Sequence, residues 1–571
     1  MYSLILLAAC SRSPGGATDA GPGDGDGDGD GDADGGSEFV DTGDLFPQVA
    51  SPGFVTVTLH PSAAGTTRVA FGVPFPRDAV TDAGQIALTD DADAALPAAI
   101  TETARWRTLG DAAAAGSVRS VAVIADVTFA TAEPVDVRVH FGVAAGPALA
   151  DPGQVTDGWV PAADGVDPDE YPAAEAIREP AVYATLPPAW MSACLMRSRT
   201  TAAGADAGWA WYDESMQEFG RTLVNDVSDA VLPENRIDYV TVDEPWLYDR
   251  ALSLFNLYIR TGDVTWLRRA HRAVRFYANH IDAAGYFDLK DYQDLKYSYG
   301  LSLLIDIMLT GDTSVAPVIE RVADAGTSWA TYTEGASFWT ERHQAYALLA
   351  ALAAWETSGD AAAGERAQAL VAATIAHSHT PPFGYPDDGC LVHSQEQHGE
   401  GDVGPEDAVC SPWMSALLAE AMWRYYLDSR DDAALEFLAR FADAFAANAL
   451  YDGGVEDSEL AGYLMPYYLA TSIYKFSDDG AWADWEHTCD VAGLIARGAF
   501  ARHALGGDAT SLATTATTML TACQADLDYW HRPGSDTSAG LAPWRLSPPR
   551  KFSWWFGTTA DMPWLLAALA N

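Results

Sequence analysis

Three short polar segments hold residue types suited to acid–base chemistry, and each precedes a long apolar stretch. They span residues 243–250, 296–299 and 339–344 and include Glu244, Trp246, Lys296, Tyr297, Tyr299, Trp339, Glu341, Arg342 and His343. Helix N-termini carry partial positive charge and free N–H groups, so loops before helices suit anionic ligands. Acidic helix caps, core tyrosines and satisfied buried polar groups are the structural alternatives. We predict that the three segments line one cleft, and that segment 339–344 is the first candidate to supply its catalytic residues.

A fourth candidate is the histidine- and carboxylate-rich stretch 377–407. It contains His377, His379, His393, His398, Glu396, Glu400, Asp402, Glu406 and Asp407. Long loops inside compact domains are often functional. The spacing of His393 and His398 does not match the helical His-Glu-x-x-His zinc motif. A zinc or calcium site, a substrate contact and a plain surface loop all stay open, and no cofactor is predicted beyond this optional divalent metal.

The C-terminal segment combines cations with aromatic rings. Its members are Arg545, Arg550, Lys551, Trp554 and Trp555. Indole rings offer flat apolar faces and cations hold carboxylates, which predicts contact with an acidic sugar. Packing of a closing helix is the alternative.

The elements that must position these residues are helical hairpins, which recur after residue 238. Turns at 261–263, 310–312, 358–360, 429–431 and 506–508 each join an apolar helix to a more polar one. Glycine in most of them suits a left-handed C-cap, and the Asp that follows suits an N-cap. A hairpin every ~50 residues is typical of helical arrays. Helices that are apolar all round should form an inner ring, which predicts an α/α toroid of about six hairpins over residues 238–571.

Residues 51–150 show a different pattern. Apolar and polar residues alternate at 53–60 and 135–141, and strand-like runs lie at 67–73, 99–108 and 117–129. This pattern predicts half-buried antiparallel strands. Five or more short strands in about 95 residues in turn predict a small barrel or sandwich. The predicted fold class is multidomain β + α: an N-terminal antiparallel β-barrel or sandwich, a connecting region at 151–237, and the α/α toroid.

The N-terminus resembles a processing segment. Residues 2–9 form an apolar stretch that is followed by Cys10. Its end, Leu7-Ala8-Ala9-Cys10, is similar to a bacterial lipobox. The lack of a preceding basic residue fits a truncated signal peptide at 1–10. The Gly- and Asp-rich residues 11–50 predict a disordered tether. We expect lipidation at Cys10 and a bacterial cell-envelope protein anchored by lipid, on the outer membrane or the periplasmic or extracellular face.

The remaining cysteines fit export. Cys390 and Cys410 bracket one loop, while Cys489 and Cys523 lie in consecutive helical segments. An oxidising compartment permits both pairs as disulfides and leaves Cys194 free. No pair has the CxxC spacing of a metal or redox site.

The net charge of −47 over 571 residues limits the partners. Nucleic-acid affinity rests on neutralising phosphates, so we predict no nucleic-acid partner. An anionic membrane surface repels the chain, which leaves only the lipid anchor as a membrane contact. An acidic ligand needs a local cationic pocket, and Lys296 and Lys551, two of only four lysines, lie in candidate segments. The oligomeric state is not predicted.

The segment Phe71-Gly72-Val73-Pro74-Phe75-Pro76-Arg77 resembles the strand and turn of the N-terminal β-barrel in bacterial exo-rhamnogalacturonan lyase-like proteins. In that family the barrel precedes an α/α toroid that cleaves uronic-acid polysaccharides, and the same order covers most of residues 50–571. The family's further β-domain has no clear counterpart between 151 and 238, and its catalytic residues do not align. The resemblance implies a polysaccharide lyase acting on an acidic polysaccharide by β-elimination.

Such an elimination needs a cation for the carboxylate, a base for the C5 proton and an acid for the leaving oxygen. We assign Arg342 or Lys296 to the carboxylate, His343 as the base, and Tyr297 or Tyr299 as the acid. The expected substrate contacts are Lys296, Trp246, Trp339, His393, His398, Arg550, Lys551 and Trp554.

Two alternatives remain open. A glycoside hydrolase would use a carboxylate pair, Glu244 and Glu341. A non-catalytic glycan-binding surface lipoprotein would show an aromatic platform without a converging acid and base. 

Overall fold

The structure is a computed structural model that describes residues 37–109, 116–162, 171–224, 237–329, 339–382, 384–394, 398–399, 401–404, 407–478, 480–530 and 546–570. The predicted leader with Cys10 and residues 11–36 of the predicted tether lie outside these ranges. So do Glu396, Glu400, Glu406 and Arg545. The described residues belong to one compact unit.

The first part of the chain is built from strands. They are β1 Ser37–Glu38, β2 Gly53–His60, β3 Gly65–Pro74, β4 Ile86–Asp90, β5 Ala95–Leu96, β6 Ala98–Trp106, β7 Ser117–Phe129, β8 Val135–Phe141, β9 Trp159–Pro161, β10 Arg178–Pro180 and β11 Tyr183–Thr185. One sheet has the order β1-β2-β8-β4-β5 with β11 also on β2, and another has the order β3-β7-β6. Val55 pairs with Val139 in the first sheet and Phe71 with Val123 in the second. The strands thus form separate sheets, and a closed barrel is not shown.

The predicted strands at 53–60 and 135–141 are confirmed as β2 and β8. In β2 every second residue is buried, including Val55, Val57 and Leu59. This is the outcome expected where one face of a sheet packs on a core and the other does not.

Residues 37–50, which were predicted to be the end of the disordered tether, belong to the compact unit. The predicted boundary at residue 50 is therefore wrong. Strand β1 pairs in parallel with β2. Nη2 of Arg199 lies 2.7 Å from both carboxylate oxygens of Asp41. The Arg199 side chain is almost fully buried, and a buried cation requires such a partner.

Helices dominate the rest of the chain. They are α1 Pro188–Ala193, α2 Ala210–Gly220, α3 Arg250–Thr261, α4 Val264–Asn279, α5 Leu301–Thr310, α6 Ala316–Ala325, α7 Glu341–Ser358, α8 Ala361–His379, α9 Pro412–Ser429, α10 Asp432–Asn448, α11 Ala481–Trp485, α12 Thr488–Ala504, α13 Thr510–Trp530, α14 Lys551–Gly557 and α15 Met562–Ala570. Short hairpins lie among them: β12 His393–Ser394 with β13 Ala408–Val409, β14 Leu450–Asp452 with β15 Leu464–Pro466, and β16 Leu469–Ala470 with β17 Lys475–Phe476.

The helices form two layers, as the hairpin pattern predicts. Within the described residues, α3, α5, α7, α9, α12 and α14 contact one another in sequence, and α14 closes the ring onto α3. Helices α4, α6, α8, α10, α13 and α2 pack outside them. Almost every residue of α5 is buried, whereas α6 buries one face. The contacts therefore describe an α/α toroid.

The turns of the hairpins have the expected caps. Gly262, Gly311 and Gly359 end their helices with φ of 70°, 76° and 71°, the left-handed region that favours glycine. Asp263 and Asp360 then accept a hydrogen bond from the first turn of the next helix. These local bonds confirm the sequence prediction at each of these turns.

Sheet β3-β7-β6 packs against the C-terminal ends of the inner helices. A Cβ atom on Gly72 would lie 2.3 Å from the carbonyl oxygen of Met308 in α5. Nη1 of Arg77 donates to the carbonyl of Asp428 at 2.7 Å, and Nη1 of Arg107 donates to that of Glu356 at 2.5 Å. Because the last carbonyls of a helix lack intrahelical partners, these arginines cap α9 and α7. Segment 71–77 thus joins the sheet to the ring.

The two predicted disulfides are confirmed. Cys390 is bonded to Cys410, Cys489 is bonded to Cys523, and Cys194 is a buried free thiol. Burial raises the pKa of the Cys194 thiol well above its ordinary value, which makes it unreactive. In the described part of the chain, no helix has both the length and the apolar character needed to cross a bilayer.

Candidate functional site

The N-terminal ends of the inner helices meet on the side of the ring away from the sheet. Five residues at or near these ends contact one another, and we call them the rim site: Tyr248, Arg342, Trp413, His487 and Trp554. The rings of Trp413 and His487 are stacked with centroids 5.1 Å apart, and His487 and Trp554 are also 5.1 Å apart. Tyr248 lies 5.7 Å from Trp554. The remaining inner helix, α5, contributes Tyr299, whose hydroxyl accepts from the backbone N–H of Tyr248.

Arg342 supplies the cation of the rim site. Its Nη1 donates to the hydroxyl of Tyr248 at 3.2 Å, and its guanidinium lies 5.3 Å from the ring centroid of Trp413. Lys296 is half-buried nearby, and burial together with the charge of Arg342 lowers its pKa. Lys296 also has a carboxylate partner, because its Nζ lies 3.2 Å from Asp294. An anionic group bound beside Arg342 would relieve the repulsion between the two cations.

Two imidazoles flank Trp413. Nδ1 of His487 lies 3.1 Å from the carboxylate of Asp490, so this ring has a carboxylate partner. His398 packs against the edge of Trp413, and its Nδ1 lies 3.3 Å from Nε2 of His393. Burial, with further effects of His393 and Arg342, lowers the pKa of His398 to about 2. His398 is therefore a weak base, whereas the carboxylate of Asp490 orients the ring of His487.

The backbone before α3 is strained where it meets the site. Tyr248 and Asp249 have φ of 74° and 59°, a conformation that costs of order 1–3 kcal/mol for a residue with a side chain. The carboxylate of Asp249 accepts from the N–H of Leu252 as the helix N-cap, and burial raises its pKa to about 6. This cap holds Tyr248 against Arg342.

Several predicted residues lie at or beside the rim site. Arg342 and Trp554 belong to it, and Lys296 and His398 adjoin it. Arg550 also adjoins it, since its guanidinium lies 5.3 Å from the ring of Trp554.

Glu244 lies beside these groups. Its carboxylate is 3.1 Å from Nη1 of Arg550. Burial raises the pKa of Glu244, so this carboxyl is held closer to its protonated form than an exposed one.

His343, the predicted base, points into the wall of the ring. Its Nδ1 lies 2.9 Å from the hydroxyl of Thr340 and closes a capping box at the start of α7. It is fully buried between the rings of Trp329 and Trp339. Burial lowers its pKa to about 4. These contacts give His343 a structural role and place it away from the rim site.

The predicted acids and two predicted indole contacts are also core residues. Tyr297 bonds to Asp243, and the hydroxyl of Tyr299 donates to the carbonyl of Lys296 at 2.7 Å. Trp246 donates to the carbonyl of Tyr239, and Trp339 donates to the side chain of Gln344. Because all four are buried, helical packing explains their positions better than contact with a ligand.

The carboxylate predicted to pair with Glu244 is enclosed as well. Glu341 is fully buried, and its Oε2 lies 3.1 Å from Nδ1 of His393. His393 in turn contacts His398, so Glu341 reaches the rim site only through two imidazoles. Lys551 is buried with its Nζ 2.6 Å from Glu486, next to the rim site but not in it.

Four residues of this region have no role predicted from sequence: Tyr248, which lies within candidate segment 243–250, and Trp413, His487 and Asp490, which lie in none of the candidate segments. Each lies within three residues of the start of an inner helix. The rule applied to segment 339–344 would have found Trp413, which follows Ser411 as N-cap and Pro412 as first helical residue.

A zinc or calcium site was one of the possibilities for the stretch 377–407. Among the residues that the structure describes, no three His, Cys, Asp or Glu side chains are grouped so that they could share a metal ion. 

Comparison with known proteins gives distant likenesses only. No family model and no curated protein matches the chain. One similar solved structure is an unsaturated glucuronyl hydrolase specific for heparin, which is 12% identical and covers 62% of this chain and 98% of its own, with a TM-score of 0.41. Another is the GH76A alpha-1,6-mannanase from Salegentibacter sp. HEL1_6, which is 15% identical and covers 62% of this chain and 99% of its own, with a TM-score of 0.39.

At these TM-scores the likeness settles neither fold nor reaction. The toroid rests on the helix contacts described above. Neither structure belongs to the exo-rhamnogalacturonan lyase-like proteins by its name, and that resemblance stays a prediction.

Proposed function

We propose that the chain cleaves an acidic glycan at the rim site, by β-elimination beside a uronic acid. The observation that supports this most is Arg342, a buried guanidinium held between the hydroxyl of Tyr248 and the face of Trp413. A cation in an aromatic enclosure with a tyrosine and an imidazole is the set that elimination beside a carboxylate needs. A net charge of −47 would repel such a substrate elsewhere on the molecule.

The roles follow from the contacts. Arg342, assisted by Lys296, neutralises the uronate carboxylate, which makes the C5 proton more acidic. Nδ1 of His487 faces Asp490, so Nε2 takes the C5 proton. The C4–O4 bond then breaks, a C4=C5 double bond forms, and the hydroxyl of Tyr248 donates a proton to the leaving oxygen. Each such acid or base contributes ~10²–10⁴-fold to the rate.

Hydrolysis is the second candidate, and Glu244 favours it. A carboxyl with a raised pKa at the edge of the site is the usual general acid of a glycoside hydrolase. The partner carboxylate would then be Asp490 rather than the enclosed Glu341. Both distant structures are hydrolases by name, but their TM-scores are too low to bring that activity here.

One assay distinguishes these candidates. The purified chain is incubated with pectic, alginate and glucuronan polymers, and both ultraviolet absorbance and new reducing ends are followed. Absorbance of an unsaturated uronate that disappears in Arg342→Ala is the expected result. Reducing ends without absorbance would establish hydrolysis instead. Binding with neither signal would identify a glycan-binding protein and overturn the proposed activity.

We also propose that the protein is exported and lipid-anchored through Cys10. The two disulfides support an oxidising compartment. Expressed in a bacterial host behind a complete signal peptide, the chain should fractionate with membranes, and Cys10→Ser should move it to the soluble fraction. Equal distribution of both proteins would refute the anchor.

A further inference from the structure

A cavity of about 270 Å³ lies between α11 and α13. Its lining residues are Trp482, Trp485, Glu486, Asp526, Tyr529 and Trp530, and we call it the aromatic pocket. The pocket adjoins the rim site, because Glu486 directly precedes His487 and its backbone carbonyl accepts a hydrogen bond from Nε1 of Trp555 in α14. It combines indole faces with carboxyl groups, as sites for small polar ligands do.

The aromatic walls are held in place by their own contacts. Trp485 stacks on Tyr463 with centroids 5.6 Å apart and donates to the carbonyl of Ala522. Nε1 of Trp482 donates to Asp457 at 3.0 Å. Rings fixed in this way lose little conformational freedom when a ligand binds, which favours affinity.

The polar groups of the pocket differ in how they are satisfied. Glu486 is paired with Lys551, whose Nζ lies 3.7 Å from the ring centroid of Trp530. Asp526 is fully buried and accepts from Nε1 of Trp530 through Oδ1, while Oδ2 has no hydrogen-bond partner among the described residues. Burial, reinforced by Glu486, raises the pKa of Asp526 well above its ordinary value. A buried carboxyl oxygen without a partner is costly unless a ligand satisfies it.

We propose that the aromatic pocket is a second sugar subsite that takes an uncharged, hydroxyl-rich ring of the same glycan. The C–H face of such a ring packs on an indole, and its hydroxyls bond to Asp526 and Glu486. A uronate is disfavoured here, because its carboxylate would lie beside the carboxyl groups of Asp526 and Glu486. The nearby cation, Lys551, is already paired with Glu486. The inference rests on the proposed function, since it names the neighbouring unit of the glycan that the rim site cleaves.

The test measures binding of named oligosaccharides to the full chain by calorimetry and tryptophan fluorescence. Cellohexaose, mannohexaose and xylohexaose serve as uncharged probes and hexagalacturonate as the acidic probe. Trp482→Ala should weaken the best uncharged probe at least about tenfold, as loss of an aromatic anchor does. Trp211→Ala, at a half-buried indole of α2 that is not part of the pocket lining, should leave its affinity unchanged.

A second variant, Glu486→Gln, tests the proposal independently, in case Trp482→Ala does not fold. Glu486→Gln removes a negative charge without changing the shape of the side chain, so hexagalacturonate should bind more tightly while the uncharged probe binds about as before. The subsite proposal is overturned if no uncharged probe binds, if Trp482→Ala and Trp211→Ala behave alike, or if Glu486→Gln leaves hexagalacturonate binding unchanged. Arg342→Ala keeps the two proposals apart, because it should abolish cleavage and retain binding of the uncharged probe.

Discussion

Arg342 and His343 are neighbours at the start of α7, yet their side chains have different surroundings. Arg342 contacts Tyr248 and Trp413 at the rim site, while His343 bonds to Thr340 inside the wall. Successive side chains of a helix point about 100° apart. A polar segment can therefore be located from sequence, but which of its members faces a site depends on how the helix is rotated in the ring.

The first prediction concerns the hydroxyl of Tyr248. Tyr248→Phe keeps the ring against Trp554 and removes the group that Arg342 contacts. We expect kcat on the glycan that the chain cleaves to fall by ~10²–10⁴-fold, the usual effect of losing an acid–base group. Tyr292→Phe, at an exposed tyrosine, is the matched control and should keep full activity. Equal rates for the two variants would remove Tyr248 from the mechanism.

The second prediction concerns the pH dependence that buried His343 confers. Its pKa is about 4 in the folded protein and about 6.5 when unfolded. His343 is therefore protonated at a higher pH in the unfolded chain than in the folded protein. The free energy of unfolding falls by up to about 3 kcal/mol as the pH falls from about 6.5 to about 4.

His343→Gln tests this without removing the cap, because Gln is a favoured residue at this position of a capping box. Urea unfolding at pH 7.5 and pH 4.5 should show a smaller acid loss of stability in the variant than in the wild type. Identical pH dependence in both would mean that His343 is not buried as described.

At the scale of elements, the rim site is assembled from the starts of helices and one disulfide-bounded loop. Cys390 and Cys410 are 20 residues apart and bracket β12 and β13. The loop between them holds His393 and His398, and His398 packs against Trp413. The disulfide thus fixes a wall of the site as well as the fold.

The third prediction follows from this loop. The double variant Cys390→Ser with Cys410→Ser should lower stability by about 3 kcal/mol, the loop-closure value for that length. It should also lower kcat, because His398 is no longer held against Trp413. Leu59→Ala in β2 is the control: it costs about 2–5 kcal/mol through a cavity and should leave kcat unchanged. Unaltered kcat in the cysteine variant would separate the loop from catalysis.

At the scale of the whole molecule, buried charges join the sheet to the toroid. Nε of Arg119 in β7 lies 2.9 Å from Glu356 in α7, and both side chains are at most 2% exposed. Arg424 of α9 contacts the same carboxylate. Glu356 therefore balances two buried guanidinium groups from different elements.

The fourth prediction tests this junction. Glu356→Gln leaves both guanidinium groups with less charge compensation and should cost about 3–5 kcal/mol of stability. Arg68→Ala breaks a pair with Asp126 whose side chains are 32% and 42% exposed, and should cost less than about 1 kcal/mol. Urea midpoints of the two variants give the comparison, and similar midpoints would show that the junction contributes little.

Much of the architecture is readable from sequence because it depends on short-range physics. The caps at Gly262 and Asp263 involve bonds within a few residues, and the alternation in β2 reflects burial of one face. Both disulfides were also predicted correctly from the position of the cysteines. The closed barrel was not shown, since alternation specifies strands but not how many of them pair in one sheet.

By itself, the sequence determined the acidic character, the hairpin repeat, the inner and outer helices and the segments that precede the inner helices. Tertiary structure alone decided which residues of those segments meet. Tyr248 and Trp554 are in contact only because α14 closes the ring onto α3. Closure also turned His343, Tyr299 and Trp339 inward and left Arg342 at the rim. A contact between distant residues depends on the packing of every helix between them, which no local pattern encodes.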